Sequence, residues 1–200
     1  MKVYIQSNKY QFLAANVAKY SFERFGLKTE VMNVENNVIL IKNLNKKIKR
    51  NNKISSYKDD LQSFTLLRFF APKLDGFQNK ILVIDPDIFA LRNPIELESK
   101  ILGNGADIVC TFYNNLPRSE MMLINAKKIS WDFDEITKKL FDLEIDYSDL
   151  MNLKFDPSLT VMPVNTKYNS HDKINDDTIL LHTTNRITQP WKLGLQIDFE

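Results

Sequence analysis

Residues 80–84, KILVI, make an apolar run that stops abruptly on Asp85-Pro86-Asp87. Ile81 to Ile84 would place apolar side chains on both faces of a strand, and such a strand has to be covered on both sides. The same kind of run recurs in ADIVCTF (106–112) and EMMLIN (120–125). Between these runs lie segments with apolar residues at helical spacing, such as 10–26, with Phe12, Ala15, Ala18 and Phe22, and the amphipathic stretch 132–143. Further strands are expected at 2–7, 29–34, 38–41, 158–164 and 178–184, and helices at 59–72 and 94–102. In the helix at 59–72, Pro72 is expected just past the end. Strands alternating with helices predict an α/β chain with a mainly parallel central sheet flanked by helices, in a single domain over 1–200.

Composition bounds the partners. The net charge of +2 offers no overall field for nucleic acid, and 44% apolar with 26% charged residues is ordinary for a globular chain. The basic charge is local: Lys42, Lys46, Lys47, Lys49, Arg50 and Lys53 crowd an Asn-rich segment, read as an exposed, mobile loop. Cys110 stands inside an apolar run, so burial accounts for it. The N-terminus is too polar for a signal peptide and no run reaches transmembrane length, so a cytoplasmic protein is expected.

In α/β sheets, ligands lie beyond the carboxyl ends of the strands. Three polar clusters fall at such ends: Ser7-Asn8-Lys9-Tyr10, Asp85-Pro86-Asp87 and His182-Thr183-Thr184. One cavity receiving all three is the expectation. Two carboxylates at i and i+2 of an extended segment face the same side and repel unless a cation or a proton lies between them. Oxygen ligands suit Mg²⁺ or Mn²⁺, and a histidine favours Mn²⁺. His171, in the polar run NSHDKINDD, reads as plain loop.

Five segments, in order, resemble the family 8 glycosyltransferases, a retaining group with the GT-A nucleotide-diphospho-sugar transferase fold. They are VYIQSNKYQFLAANVAKYSF, FTLLRFFAPKLDGFQNKILVIDPDIFALRNPIEL, EMMLINAKKISW, DYSDLMNLKF and ILLHTTNRITQPW. The resemblance implies that Asp85, Asp87 and His182 hold the metal on the diphosphate of a nucleotide sugar. It places Tyr10 on the base, with Ser7 and Asn8 in the same loop, and Arg68 on the donor phosphates or sugar. Asn125, Ser148 and Asp149 fall to the reacting sugar. Where the family carries a glutamine under that sugar this chain has Ser148. Its closing lysine is matched by Gln189, with Arg186 as the nearby substitute. The implied activity is metal-dependent transfer from a nucleotide-diphosphate sugar to a hydroxyl of a glycan or lipid-linked acceptor. The basic segment 42–53 is a possible contact with a membrane face. A non-catalytic nucleotide-sugar-binding protein is the alternative. A nucleotidyltransferase is a further one, although the first loop lacks the glycines usual there.

Overall fold

The computed structural model describes residues 1–195. Eleven strands and six α-helices follow one another: β1 (Lys2–Ser7), α1 (Phe12–Glu23), β2 (Lys28–Asn33), α2 (Val38–Lys42), β3 (Lys47–Arg50), β4 (Lys53–Ser56), α3 (Ala71–Leu74), β5 (Lys80–Ile84), β6 (Ile88–Ala90), α4 (Leu97–Asn104), β7 (Ile108–Tyr113), β8 (Leu116–Asn125), α5 (Phe133–Phe141), α6 (Tyr147–Met151), β9 (Val161–Pro163), β10 (Ser170–His171) and β11 (Leu180–His182). The main sheet has the order β2-β1-β5-β8-β7-β9. β8 pairs antiparallel with both β5 and β7, and the other pairings are parallel.

The apolar runs are covered on both faces, as a sheet of this kind requires. Tyr4, Ile81, Val83, Cys110 and Met122 join one cluster, with Phe69, Trp131 and Phe133 over them. Val3, Ile5, Leu82, Ile84 and Leu123 join the other, against Ala15, Ala18 and Phe22 of α1. Cys110 is buried, and that burial pushes its thiol up to about 12.

Three local expectations are corrected. Residues 38–41, read as a strand, are helical, because the Asn37 side chain accepts from Leu40 N at 3.1 Å and caps the turn. Only Leu40 of this turn is buried. The basic segment is no loose loop either: β3 and β4 form a hairpin with Ile48 buried beneath it. Its turn residues Asn51 and Asn52 have φ of 50° and 64°, the left-handed region that asparagine tolerates. Finally, the segment 59–72 is not one α-helix. Ser63–Phe69 winds as a fully buried 3₁₀ helix, and Pro72 falls in the first turn of α3, not past a helix end. With three residues per turn, Thr65 and Arg68 share one edge, on which Arg68 reaches Asp85 beyond the end of β5 and Thr65 meets the Tyr147 hydroxyl.

Candidate functional site

β5 delivers Asp85 to the edge of the sheet, where its N–H donates to Glu120 O at 2.9 Å. The chain turns at Asp85-Pro86-Asp87 and leaves as β6, which joins a separate three-stranded sheet of order β10-β11-β6. There His182 stands opposite Ile88, and this pairing carries the ring beside the preceding Asp87. Nε2 of His182 lies 3.4 Å from Asp87 Oδ1. One ligand atom each from Asp85, Asp87 and His182 lie within 4.8 Å of one another. Such a set of two carboxylates and an imidazole suits a divalent ion of the Mn²⁺ or Mg²⁺ kind.

Arg68 is 1% exposed and lies against this group. Its Nη2 donates to Asp85 Oδ1 at 2.5 Å and Oδ2 at 2.8 Å, and its Nη1 to Ser119 Oγ at 2.7 Å. The Gln6 amide also donates to Asp85. Burial raises the Asp85 carboxyl to about 6, against the pull of Arg68 and with the push of the nearby Asp87. Burial lowers His182, but the hydrogen bond to Asp87 and the charges of Asp87, Glu120 and Asp85 outweigh it and raise the imidazole to about 9. Gln189 Nε2 donates to Asp87 Oδ2 at 2.7 Å.

A cavity of about 440 Å³ opens over these groups, lined also by Arg50, Ser148, Asn152, Glu120, His171 and Lys192. Of the three polar strand-end clusters, the two with Asp85 and His182 reach it. Ser7-Asn8-Lys9-Tyr10 does not line it, which corrects the expectation of one shared cavity. Ser7 and Asn8 are buried. The Asn8 side chain is fully committed, accepting from Tyr10 N and Gln11 N in its own loop and donating to Leu61 O and Ser63 Oγ across the fold. Tyr10 is half-buried, with Lys9 Nζ 4.8 Å from its ring centre. Trp191 Nε1 donates to Gln11 Oε1 at 3.0 Å and ties this loop to the closing segment.

Ser148 reaches the cavity. Asp149 turns back into a capping box, its carboxylate accepting from Asp146 N at 2.9 Å. Asn125 is not brought to the site: β8 is antiparallel, so Asn125 pairs with Lys80 at the far end of β5, away from Asp85. Arg186 is not in the cavity wall; its Nη1 donates to Lys192 O, and the buried Lys192 lines the cavity instead.

Two wall residues escaped the sequence reading. Glu120 lies in the middle of β8, at the start of its buried half, and antiparallel pairing sets it beside Asp85. His171, read as loop, is the end of β10 and pairs with His182, their ring centres 4.9 Å apart. A lone acid at the head of an apolar run was the signal for Glu120. For His171 there was none, because only the β10–β11 pairing places it.

No protein-family model and no curated protein matches the chain. Solved structures do. An active-site mutant of the enzyme LgtC, named a galactosyltransferase in another of its structures, matches with a TM-score of 0.60 at 11% identity, over 92% of this chain and 88% of its own. A glycosyltransferase involved in glycosylation of the major capsid of PBCV-1 matches with 0.60 at 9% identity, over 96% and 99%. The glycosyltransferase GlyE of Streptococcus pneumoniae TIGR4 matches with 0.58 at 16% identity, over 95% of this chain but only 58% of its own. At such identities the likeness is one of architecture: the chain has the GT-A α/β fold of these glycosyltransferases.

Proposed function

We propose that this protein is a metal-dependent glycosyltransferase that moves a sugar from a nucleotide-diphosphate donor to a hydroxyl acceptor, with retention at the anomeric carbon. The observation that carries the reading is the buried Asp85–Asp87–His182 group at the mouth of a cavity, at the carboxyl end of β5. Asp85, Asp87 and His182 would hold Mn²⁺ or Mg²⁺, and the residues present fit it: two carboxylates and a ring nitrogen converge with no lysine or arginine between them except Arg68, which occupies Asp85 from behind. When bound, the ion supplies Lewis-acid charge for the departing diphosphate. Lys192 and Arg50, both in the cavity wall, would add positive charge where that leaving group develops its own, although Arg50 is shared with Asp60. Ser148 and Asn152 face the same space and would position the sugar. Tyr10, at the neighbouring loop, would stack on the base. The acceptor is a hydroxyl of a glycan or lipid-linked sugar, met in the cytoplasm or at its membrane face.

The test is release of nucleoside diphosphate from a panel of nucleotide sugars with Mn²⁺ present. Turnover of one donor that vanishes in Asp87→Asn supports the reading. Turnover that Asp87→Asn leaves at the parent rate sinks the site assignment.

A non-catalytic nucleotide-sugar-binding protein is the second reading. Gln189 satisfying Asp87 and the small Ser148 favour it. It predicts metal-dependent thermal stabilisation by a nucleotide sugar, since a ligand that binds only the folded state raises its stability. It predicts no donor hydrolysis under the same conditions.

A further inference from the structure

Behind His182 a different set of ligands converges. Glu120 Oε2 lies 3.5 Å from His182 Nδ1 and 3.8 Å from His171 Nε2. One ligand atom of each residue falls within 4.8 Å of the others. Donors around a tetrahedral zinc, at bond lengths of about 2.1 Å, sit about 3.4 Å apart, so the two carboxylate–imidazole distances are already within tenths of an ångström of that spacing, and the two rings have to draw together from no more than 4.8 Å. Two imidazoles and one carboxylate are also a zinc-type set, whereas the Asp85–Asp87 side is mostly oxygen and suits harder ions.

The state of the two rings bears this out independently. The Asn169 side chain bridges them: its Oδ1 is 3.0 Å from His182 Nδ1 and its Nδ2 3.3 Å from His171 Nε2. An amide thus spans the same two ring nitrogens that an ion would join, and an ion there would replace the hydrogen bonds it makes. On the other side of His182, Nε2 faces Asp87 Oδ1 at 3.4 Å. With Nδ1 on an ion, the ring proton sits on Nε2 and donates to Asp87. Asp87 then becomes the outer carboxylate that fixes the ring, the arrangement usual for a metal-bound histidine. Access exists too. Half of the His171 side chain is exposed, and a second cavity of about 590 Å³, lined by Thr111, Glu120, Asn169 and His171, opens onto the group.

We propose that Glu120, His171 and Nδ1 of His182 form a second cation site, selective for Zn²⁺-like ions. It excludes occupation of the Asp85–Asp87–His182 group, because a neutral imidazole has one lone-pair nitrogen to give. The two sites are alternative uses of one ring. An ion at Glu120 and His171 turns His182 away from Asp87 as a ligand and holds the proposed donor site without its third ligand. The inference goes beyond sugar transfer and stands or falls on metal binding alone.

The experiment uses the full chain with Zn²⁺ and Mn²⁺ as the only probes. Zn²⁺ affinity is read by competition with a chromophoric chelator, and Mn²⁺ binding by the electron paramagnetic resonance of the free ion. The expected result is that Zn²⁺ releases bound Mn²⁺ from the parent. His171→Ala should weaken Zn²⁺ at least about tenfold, the least expected even for loss of an outer partner of a ligand, while Mn²⁺ binds as in the parent. Glu120→Gln should weaken Zn²⁺ likewise, with circular dichroism unchanged. Parent-level Zn²⁺ affinity in either variant overturns the site. Parallel loss of Mn²⁺ in His171→Ala overturns it as well, since that result means one common site. Mn²⁺ held together with Zn²⁺ overturns the exclusion. Absence of donor turnover leaves all these readings unaffected, so failure of the glycosyltransferase proposal is separately visible.

Discussion

Arg68 shows how much one buried charge decides at the scale of a residue. It is the cation against which Asp85 is buried, and it also holds Ser119. Removing it leaves a buried carboxylate facing Asp87 and Glu120, so Arg68→Ala should lose about 3–5 kcal/mol in urea unfolding of the metal-free protein. The loss should be larger at pH 8 than at pH 5. Asp85 is already raised to about 6 by burial, against an ordinary 3.8, so its contribution is full below about pH 4 and lost as pH rises through about 6. Without Arg68 that penalty grows, and only a protonated Asp85 escapes it. A loss independent of pH would mean that packing, not charge, is what Arg68 supplies. His182→Ala should weaken Mn²⁺ less than Asp87→Asn does in calorimetric titration, because a neutral ligand adds less attraction than a carboxylate; equal losses would contradict this. Asp85, Asp87 and His182 were expected together because Asp85 and Asp87 follow one recognisable strand and His182 ends another, and the structure brings their ligand atoms within 4.8 Å. Glu120 and His171 were not, since pairing between distant strands is what turns them to the same point.

At the scale of elements, the closing segment hangs on Asp172. Its carboxylate accepts from Thr184 N at 2.9 Å, Thr188 Oγ1 at 2.6 Å and Thr184 Oγ1 at 2.5 Å. Burial pushes this group up, but those hydrogen bonds win and hold it at about 2. A depressed carboxyl contributes stability that is present above about pH 3.8 and lost as pH falls through about 2. Asp172→Asn should therefore melt below the parent at pH 7, and the gap should narrow at pH 3. A gap that widens on acidification contradicts the role. Elements were legible wherever length and period agreed. The turn 38–42 was not, because four apolar residues fit strand and helix alike until the Asn37 cap is seen. Nor was the hairpin: its one inward residue, Ile48, is too little pattern among the basic side chains of the segment 42–53.

For the whole molecule, the basic hairpin is the feature whose consequence extends beyond the site. Two of its charges are committed internally. Lys46 lies 3.6 Å from Asp142, and Arg50 pairs with Asp60 at 2.7 Å and lies over the Tyr147 ring. Lys42, Lys47 and Lys53 are exposed, with Lys49 partly so. At about 1 kcal/mol for each basic residue near an anionic bilayer, these four would give only weak attachment. Pelleting with anionic vesicles at low salt, lost at high salt and in the variant with the four changed to glutamine, is the expected outcome; equal pelleting with neutral vesicles contradicts it. Among the described residues no helix is long and apolar enough to cross a membrane. Local patterns in the sequence determined the class of fold, the doubly covered sheet and the two aspartates at its edge, since apolar period and strand length are properties of neighbours along the chain. Tertiary structure alone decided which groups face those aspartates. The reversed direction of β8 sent Asn125 away and brought Glu120 in. The small sheet of β6, β10 and β11 set two histidines side by side from opposite ends of one loop. Register between distant strands is fixed by packing the whole sheet at once, and no short window of sequence contains it.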